Sequence, residues 1–288
     1  MSLGKNAFDA ADWRLACEMY AAIIVHAVNA AESITPDSKK PAIPSANKAK
    51  SASNAFDWIH IRFSLLESIK SFSGLQLGRI FDSSSVRESV ASCFVKSAHR
   101  ILENQENVKS LNTRRLSIEI LAECASSQNY CKGLQTIIMQ DLIYFEHLAE
   151  PTAELMKMLF ASDDSGCNEV CQDILKYLGS HRFSSQESSA STKIAAIFLA
   201  KFAAIAPKDC LHSLSLFADQ MDSEAYVIRM AMIEVIGMLI FYLMSQEDRS
   251  DSIKAQTKSL FAALEERFHD VNSFVRSKAL QVCCDLAK

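Results

Sequence analysis

Along most of the chain, apolar residues recur three and four positions apart, and short polar breaks separate the runs. That spacing places the apolar side chains on one face of an α-helix. It predicts helices over about 8–31, 55–80, 85–103, 108–126, 131–147, 151–161, 167–179, 190–205, 207–220, 224–244, 252–268 and 272–287. Pro151 and Pro207 fit first turns, where the missing N–H costs nothing. Ser85 and Glu88 have capping-box spacing. The stretch "ESITPDSKKPAIPSANKAKSASN", Glu32–Asn54, holds three of the five prolines and only Ile34 and Ile43 as large hydrophobes. It predicts a disordered linker, which leaves an N-terminal helix in 1–31 and a helical body in 55–288. Gly179–Ser191, "GSHRFSSQESSAS", predicts a surface loop.

Three segments align on a hydrophobic residue followed by arginine: Val86-Arg87, Ile228-Arg229 and Val275-Arg276. Ile228, Met232, Val235, Ile236 and Leu239 have the same offsets as Val275, Ala279, Val282, Cys283 and Leu286. The first copy keeps Val86, Val90, Cys93 and Phe94 and breaks the stripe at Ser97. Asp82, Asp222 and Asp270 stand a few residues upstream, where a carboxylate suits a turn or a helix N-terminus. Ile228 and Val275 lie 47 residues apart, the period of a HEAT-type repeat of two antiparallel helices. One such hairpin cannot bury its own stripe, and a stack of them can. The expected fold class is therefore all-α, a HEAT-type helical-repeat solenoid. A last helix with no polar capping repeat after it suggests a longer solenoid, or a final face that meets a partner.

Composition agrees with a helical reading: 288 residues hold only 7 Gly and 5 Pro, and 49% are hydrophobic. A net charge of −4 gives no global attraction to DNA or anionic membrane, so any such contact must be local. Nine scattered cysteines read as reduced, buried thiols of an intracellular protein. The N-terminus has no signal-peptide layout. The most apolar run, Ala225–Met244, is interrupted by Arg229 and Glu234 and reads as a core helix rather than a membrane span.

Charged residues crowd "HDVNSFVRSKAL", His269–Leu280, and raise the question of acid–base chemistry. Neighbouring side chains at a helix end point apart, and no Ser or Cys motif accompanies His269 and Asp270, so a turn and cap is the preferred reading. Cys167 and Cys171, one helical turn apart, can supply half a zinc site with His181 as a third ligand. Buried free thiols are the competing and preferred reading. No phosphate-cradling glycine loop and no nucleophile elbow is present, which leaves an enzyme reading without support and implies no cofactor. Lys39, Lys40, Lys48 and Lys50 form a basic stretch free of acids from Ser38 to Phe56, a possible arm for phosphate backbones set against a plain solvated linker. Lys96, Arg100, Lys109, Arg114 and Arg115 form a second cluster that Glu103 and Glu106 dilute. Thr35-Pro36 is the only Ser/Thr-Pro step in the chain and a minimal site for a proline-directed kinase. Arg87, Arg229 and Arg276 read as architecture, bonding within or between repeats.

Several stretches taken in order resemble the CAP-D family, the non-SMC regulatory subunits of condensin, in its condensin I form. They are "FEHLAEPTAELM" (Phe145–Met156), "STKIAAIFLAKFAAIAP" (Ser191–Pro207), "MDSEAYVIRMAMIEVIG" (Met221–Gly237) and above all "HDVNSFVRSKALQ" (His269–Gln281), with "FDWIHIRFSLLESI" and "SAHRILEN" upstream. The resemblance covers roughly Phe56 onward and implies a non-enzymatic HEAT scaffold in chromosome condensation during mitosis. It implies kleisin and SMC ATPase partners, contact with DNA, a place in the nucleus and on chromosomes as well as the cytoplasm, and neither a membrane nor a small-molecule substrate. It assigns no family contact to a named residue. The competing expectation is another HEAT adaptor, a transport receptor or a phosphatase scaffold.

Overall fold

A computed structural model describes residues 10–33, 58–75, 77–81, 83–184, 190–247 and 250–288, and among these residues there is no strand. The helices are α1 (Ala10–Ser33), α2 (Trp58–Ser73), α3 (Leu77–Ile80), α4 (Ser84–Glu103), α5 (Gln105–Lys109), α6 (Leu111–Gln128), α7 (Cys131–Tyr144) and α8 (Ala149–Phe160). They continue with α9 (Ser165–Ser180), α10 (Ala190–Ile205), α11 (Pro207–Ser213), α12 (Tyr226–Met244), α13 (Asp251–Glu266) and α14 (Ser273–Leu286). The fold is all-α, built of packed helix pairs in the manner of HEAT repeats. The chain divides into two compact units, Met1–Tyr130 and Cys131–Lys288.

In the first unit α1 packs on α2 and α4, and α2 and α4 both pack on α6. Leu66, Ile69, Phe94, Ile101, Ile118 and Ile120 are buried between them. Each such side chain removed from water contributes about 1.5–3 kcal/mol before entropy is counted. The Phe72 and Phe94 rings meet edge to face with centroids 5.4 Å apart. The helix expected over 55–80 breaks after Ser73, and its C-terminal end is closed from a distance. The Gln128 side-chain amide donates to the Ser73 and Leu75 carbonyls, both at 2.8 Å. Asn129, with φ 61°, then ends α6 in the left-handed conformation that asparagine tolerates. Helix α4 begins at Ser84 after Ser83, whose side chain makes no cap bond, so the Ser85–Glu88 capping box does not form the start of this helix.

The second unit runs as successive helix pairs, α7 then α8, α9 then α10, α11 then α12, and α13 then α14, with α7 packed on α8, α9 on α7 and α8, α11 on α12, and α13 on α12. The second helices form one layer, in which α8 packs on α10, α10 on α12 and α12 on α14. Ile228, Met232, Val235, Ile236 and Leu239 of α12 are all buried in this layer. In α14 only Val275 and Ala279 of the matching stripe are buried, and Val282 and Cys283 are partly covered. Helix α12 is long and apolar enough by composition to cross a membrane, and it packs here against α10, α11, α13 and α14. Its apolar character reflects a helix covered on several sides.

Two glycines allow close approach in this unit. A Cβ on Gly179 would run into the Leu216 carbonyl, and one on Gly237 would lie 2.5 Å from Val282 Cγ1. The helix expected over 207–220 stops at Ser213 and gives way to 3-10 turns at Leu214–Leu216 and Ala218–Asp222. Phe217 is fully buried between these turns. The buried Gln220 donates its amide to the carbonyls of Leu178 (3.0 Å), Gly179 (2.8 Å) and His181 (2.9 Å), closing the end of α9.

Candidate functional site

The turns ahead of α12 and α14 come together in the second unit. They line an open hollow of about 740 Å³ with Asp222, Arg229, Arg267, His269 and Asp270 on its walls. Arg229, one residue after Ile228, projects from the first turn of α12. Its Nη1 donates to the carbonyls of Ser223 (2.6 Å) and Glu224 (3.2 Å), so the guanidinium holds the turn its own helix starts from. The other edge reaches the next hairpin: Nε donates to Asp270 Oδ2 at 2.8 Å and Nη2 to Oδ1 at 2.9 Å. This is a bidentate fork on a carboxylate, the strong form of the arginine ion pair.

Arg276 repeats half of that device at the same offsets. Its Nη1 donates to the Asp270 carbonyl (2.8 Å) and the Val271 carbonyl (3.2 Å). Arg267 adds a second tie between the turns, with Nη1 donating to the Met221 carbonyl and to Asp222 Oδ1, both at 3.0 Å. Asp222 is mostly exposed, whereas the Asp270 side chain is 4% exposed.

Neither aspartate caps the helix that follows it. Asp270 Oδ1 accepts from the Asn272 N–H at 2.8 Å, and the cap of α14 is Asn272, whose Oδ1 accepts from Phe274 N–H at 2.9 Å. Ala225 precedes α12 without a side-chain cap. Burial opposes the charge on Asp270, but the Arg229 fork, the Asn272 N–H and the Arg267 charge outweigh it and hold the carboxyl below its usual range. An ionised carboxylate with both oxygens engaged is a poor general base. The site is an electrostatic clasp between successive hairpins.

Residues 4–134 match the family model for the non-SMC mitotic condensation complex subunit 1, N-terminal region. Condensin complex subunit 1 of Schizosaccharomyces pombe is 29% identical over 221 residues, 76% of this chain and 19% of that protein. The Saccharomyces cerevisiae protein of the same name is 28% identical over 226 residues, 77% of this chain and 19% of that protein. The human one is 27% identical over 236 residues, 80% of this chain and 17% of that protein. The chain is similar to condensin complex subunit 1 over about three quarters of its length. It spans about a fifth of the length of these yeast relatives.

The other positions singled out in the sequence fall in different places. Val86 and Arg87 lie partly buried on α4, and Arg87 Nη1 packs against Gly78, where a Cβ would come within 2.9 Å. Asp82 lies outside the described residues, as do Thr35, Lys39, Lys40, Lys48 and Lys50. In the second basic cluster Lys109 pairs with Glu106 at 2.6 Å and Arg115 with Glu119 at 2.7 Å, so acidic neighbours offset part of its charge. Cys167 does not face His181, whose ring packs on Tyr177 and Phe183. Its sulfur instead lies 3.5 Å from Cys131 Sγ. Sequence reasoning missed Gln128 and Gln220, the buried amides that close helix ends. A buried glutamine leaves no local signal, because its partners lie 39 to 55 residues away.

Proposed function

We propose that this chain serves as a non-enzymatic helical-repeat scaffold in a condensin complex and acts in mitotic chromosome condensation. The Arg229–Asp270 clasp carries the reading on the structural side. A charged pair that locks consecutive helix pairs builds a stiff framework and takes the buried Asp270 carboxylate out of acid–base chemistry. The family description and the names of the relatives supply the condensin context. The partners in this reading are the kleisin and SMC ATPase subunits, together with DNA through local basic patches. The arm Lys39, Lys40, Lys48 and Lys50 is the candidate for phosphate-backbone contact, and Thr35 beside it the candidate for phosphorylation. The working organisation is an N-terminal helix in 1–31, a linker in 32–54 and a HEAT scaffold in 55–288. The expected location is the nucleus and chromosomes, with a cytoplasmic pool.

The natural protein that carries this sequence should co-purify from mitotic cells with a kleisin and two SMC proteins, and the purified chain should not hydrolyse ATP. Recovery with a small GTPase or a phosphatase catalytic subunit, and without SMC proteins, would overturn the proposal in favour of another HEAT adaptor.

A further inference from the structure

Cys131 opens α7, Asp164 caps α9, and Cys167 follows three residues later in the first turn of α9. The cap bond from Cys167 N–H to Asp164 Oδ1, 2.9 Å, fixes the two α9 residues relative to each other. The two sulfurs stand 3.5 Å apart, and Cys131 Sγ lies 3.8 Å from Asp164 Oδ1. One ligand atom from each of the three residues falls within 4.8 Å of the others. A tetrahedral zinc ion with sulfur at ~2.3 Å and oxygen at ~2.0 Å spaces its ligands by about 3.8 Å for S···S and about 3.5 Å for S···O. The two distances from Cys131 Sγ, 3.5 Å to Cys167 Sγ and 3.8 Å to Asp164 Oδ1, are close to those edges before any ion is placed.

Gly166 supplies a second observation. A Cβ there would come 3.0 Å from Asp164 Oδ1 and 3.4 Å from Cys131 Sγ. A side chain at 166 would thus press on two of the three ligand atoms, and glycine leaves them room. Cys131 and Cys167 are buried, while Asp164 is only partly so.

We propose that Cys131, Asp164 and Cys167 form a zinc site that braces the start of α7 against the start of α9, with water as the fourth ligand. Two thiolates with a carboxylate suit zinc, which accepts both sulfur and hard oxygen. Each thiol gives its proton to solvent as the ion binds, and the positive end of α9 favours the Cys167 thiolate that results. Without an ion, burial first, then the Cys167 contact and the Asp164 charge, push the Cys131 thiol up to about 12. At neutral pH the metal-free pair is therefore protonated. The site is distinct from the Cys167–Cys171 pairing suggested by helical spacing, since Cys171 turns its sulfur toward the Met156 carbonyl at 4.0 Å.

The test uses the full chain, reduced with a non-chelating phosphine, loaded with Zn²⁺ and passed through gel filtration. A single zinc equivalent should remain by elemental analysis. Co²⁺ in its place should give thiolate-to-cobalt charge-transfer bands and tetrahedral visible absorption. Cys131→Ser and Cys167→Ser should each lose the bands, while Cys284→Ser, an exposed thiol on α14, keeps them. A second readout, independent of how the variants fold, uses the unaltered protein: Zn²⁺ should slow alkylation of Cys131 and Cys167 and leave Cys284 unaffected. Failure of the folded wild-type chain to retain zinc would overturn the site. So would retention by both serine variants, or a Cys131–Cys167 disulfide that hydrogen peroxide forms equally fast with zinc present.

Discussion

Arg229 holds Asp270 by both carboxylate oxygens, at 2.8 and 2.9 Å, while its remaining nitrogen closes the turn that its own helix starts from. One side chain thus joins a local turn to a hairpin 41 residues away. Arg276 holds its own turn through carbonyls at the same two offsets. The recurrence of arginine after the first stripe residue has a mechanical cause: the guanidinium fork can satisfy turn carbonyls on one edge and a neighbouring carboxylate on the other.

Removing one partner of this pair should cost far more than removing both. Arg229→Met leaves the Asp270 carboxylate almost fully covered with the Asn272 N–H as its remaining hydrogen bond and Arg267 as a more distant charge, a loss of about 3–5 kcal/mol for a buried pair broken on one side. Asp270→Asn keeps an acceptor for that N–H and should cost less. The double variant should be more stable than the two single losses added together predict. Urea unfolding of all four proteins measures the coupling, and hydrogen exchange should place the change in α12 and α14. Additive losses would remove the clasp as a source of stability.

The same carboxylate predicts an acid response with a definite sign. Its folded value lies below the usual carboxylate value of about 3.9, so the unfolded chain takes up the proton first as pH falls. The contribution is complete above about pH 4 to 5 and disappears as pH drops through the depressed value. The stability gap between wild type and Asp270→Asn should therefore be constant near neutrality and narrow on acidification. A gap that widens toward low pH would mean the carboxylate is not stabilised by its partners.

How much of this was legible beforehand depends on the range of the interaction. The stripe from Ile228 to Leu239 declares a helix because its partners repeat at the 3.6-residue period within one segment. Helix limits followed for the same reason, except where Gly74 and the 3-10 turns around Phe217 interrupt a run that reads as continuous. Asp270 looked like a cap because its sequence neighbours are free N–H groups, and its dominant partner lies on another hairpin. Cys167 suggested Cys171 by helical spacing, whereas the fold brings it to Cys131 and Asp164. Side chains that act across hairpins give no periodic signal, and these built both the clasp and the thiol cluster.

Gln220 tests a quieter version of the same point. Its amide serves three carbonyls at the end of α9 that no backbone N–H reaches from within that helix. Gln220→Leu keeps the volume and removes the donor, stranding buried carbonyls at about 1–3 kcal/mol. Hydrogen exchange should rise in the last turn of α9 and across 214–222, with α13 and α14 little changed. Unaltered exchange at the end of α9 would show that water closes that end as well as the glutamine does.

Gly237 offers a test of packing between α12 and α14 that separates helix propensity from fit. Alanine in a helix interior is favoured over glycine by about 1 kcal/mol, which alone predicts a more stable protein. At this position the added Cβ would stand 2.5 Å from Val282 Cγ1, so α14 must shift or Val282 must leave its rotamer, an overpacking cost of about 1–3 kcal/mol. Gly237→Ala should therefore lower stability, or at best leave it unchanged. Val282→Ala removes the obstructing methyl groups at the price of a small void, because Val282 is only partly covered. In the double variant the new methyl occupies part of that void and the propensity gain is released. Its stability should exceed the sum of the single effects by about 1–2 kcal/mol, read from urea denaturation midpoints. Strict additivity would mean that α14 sits farther from α12 than the Gly237–Val282 contact requires.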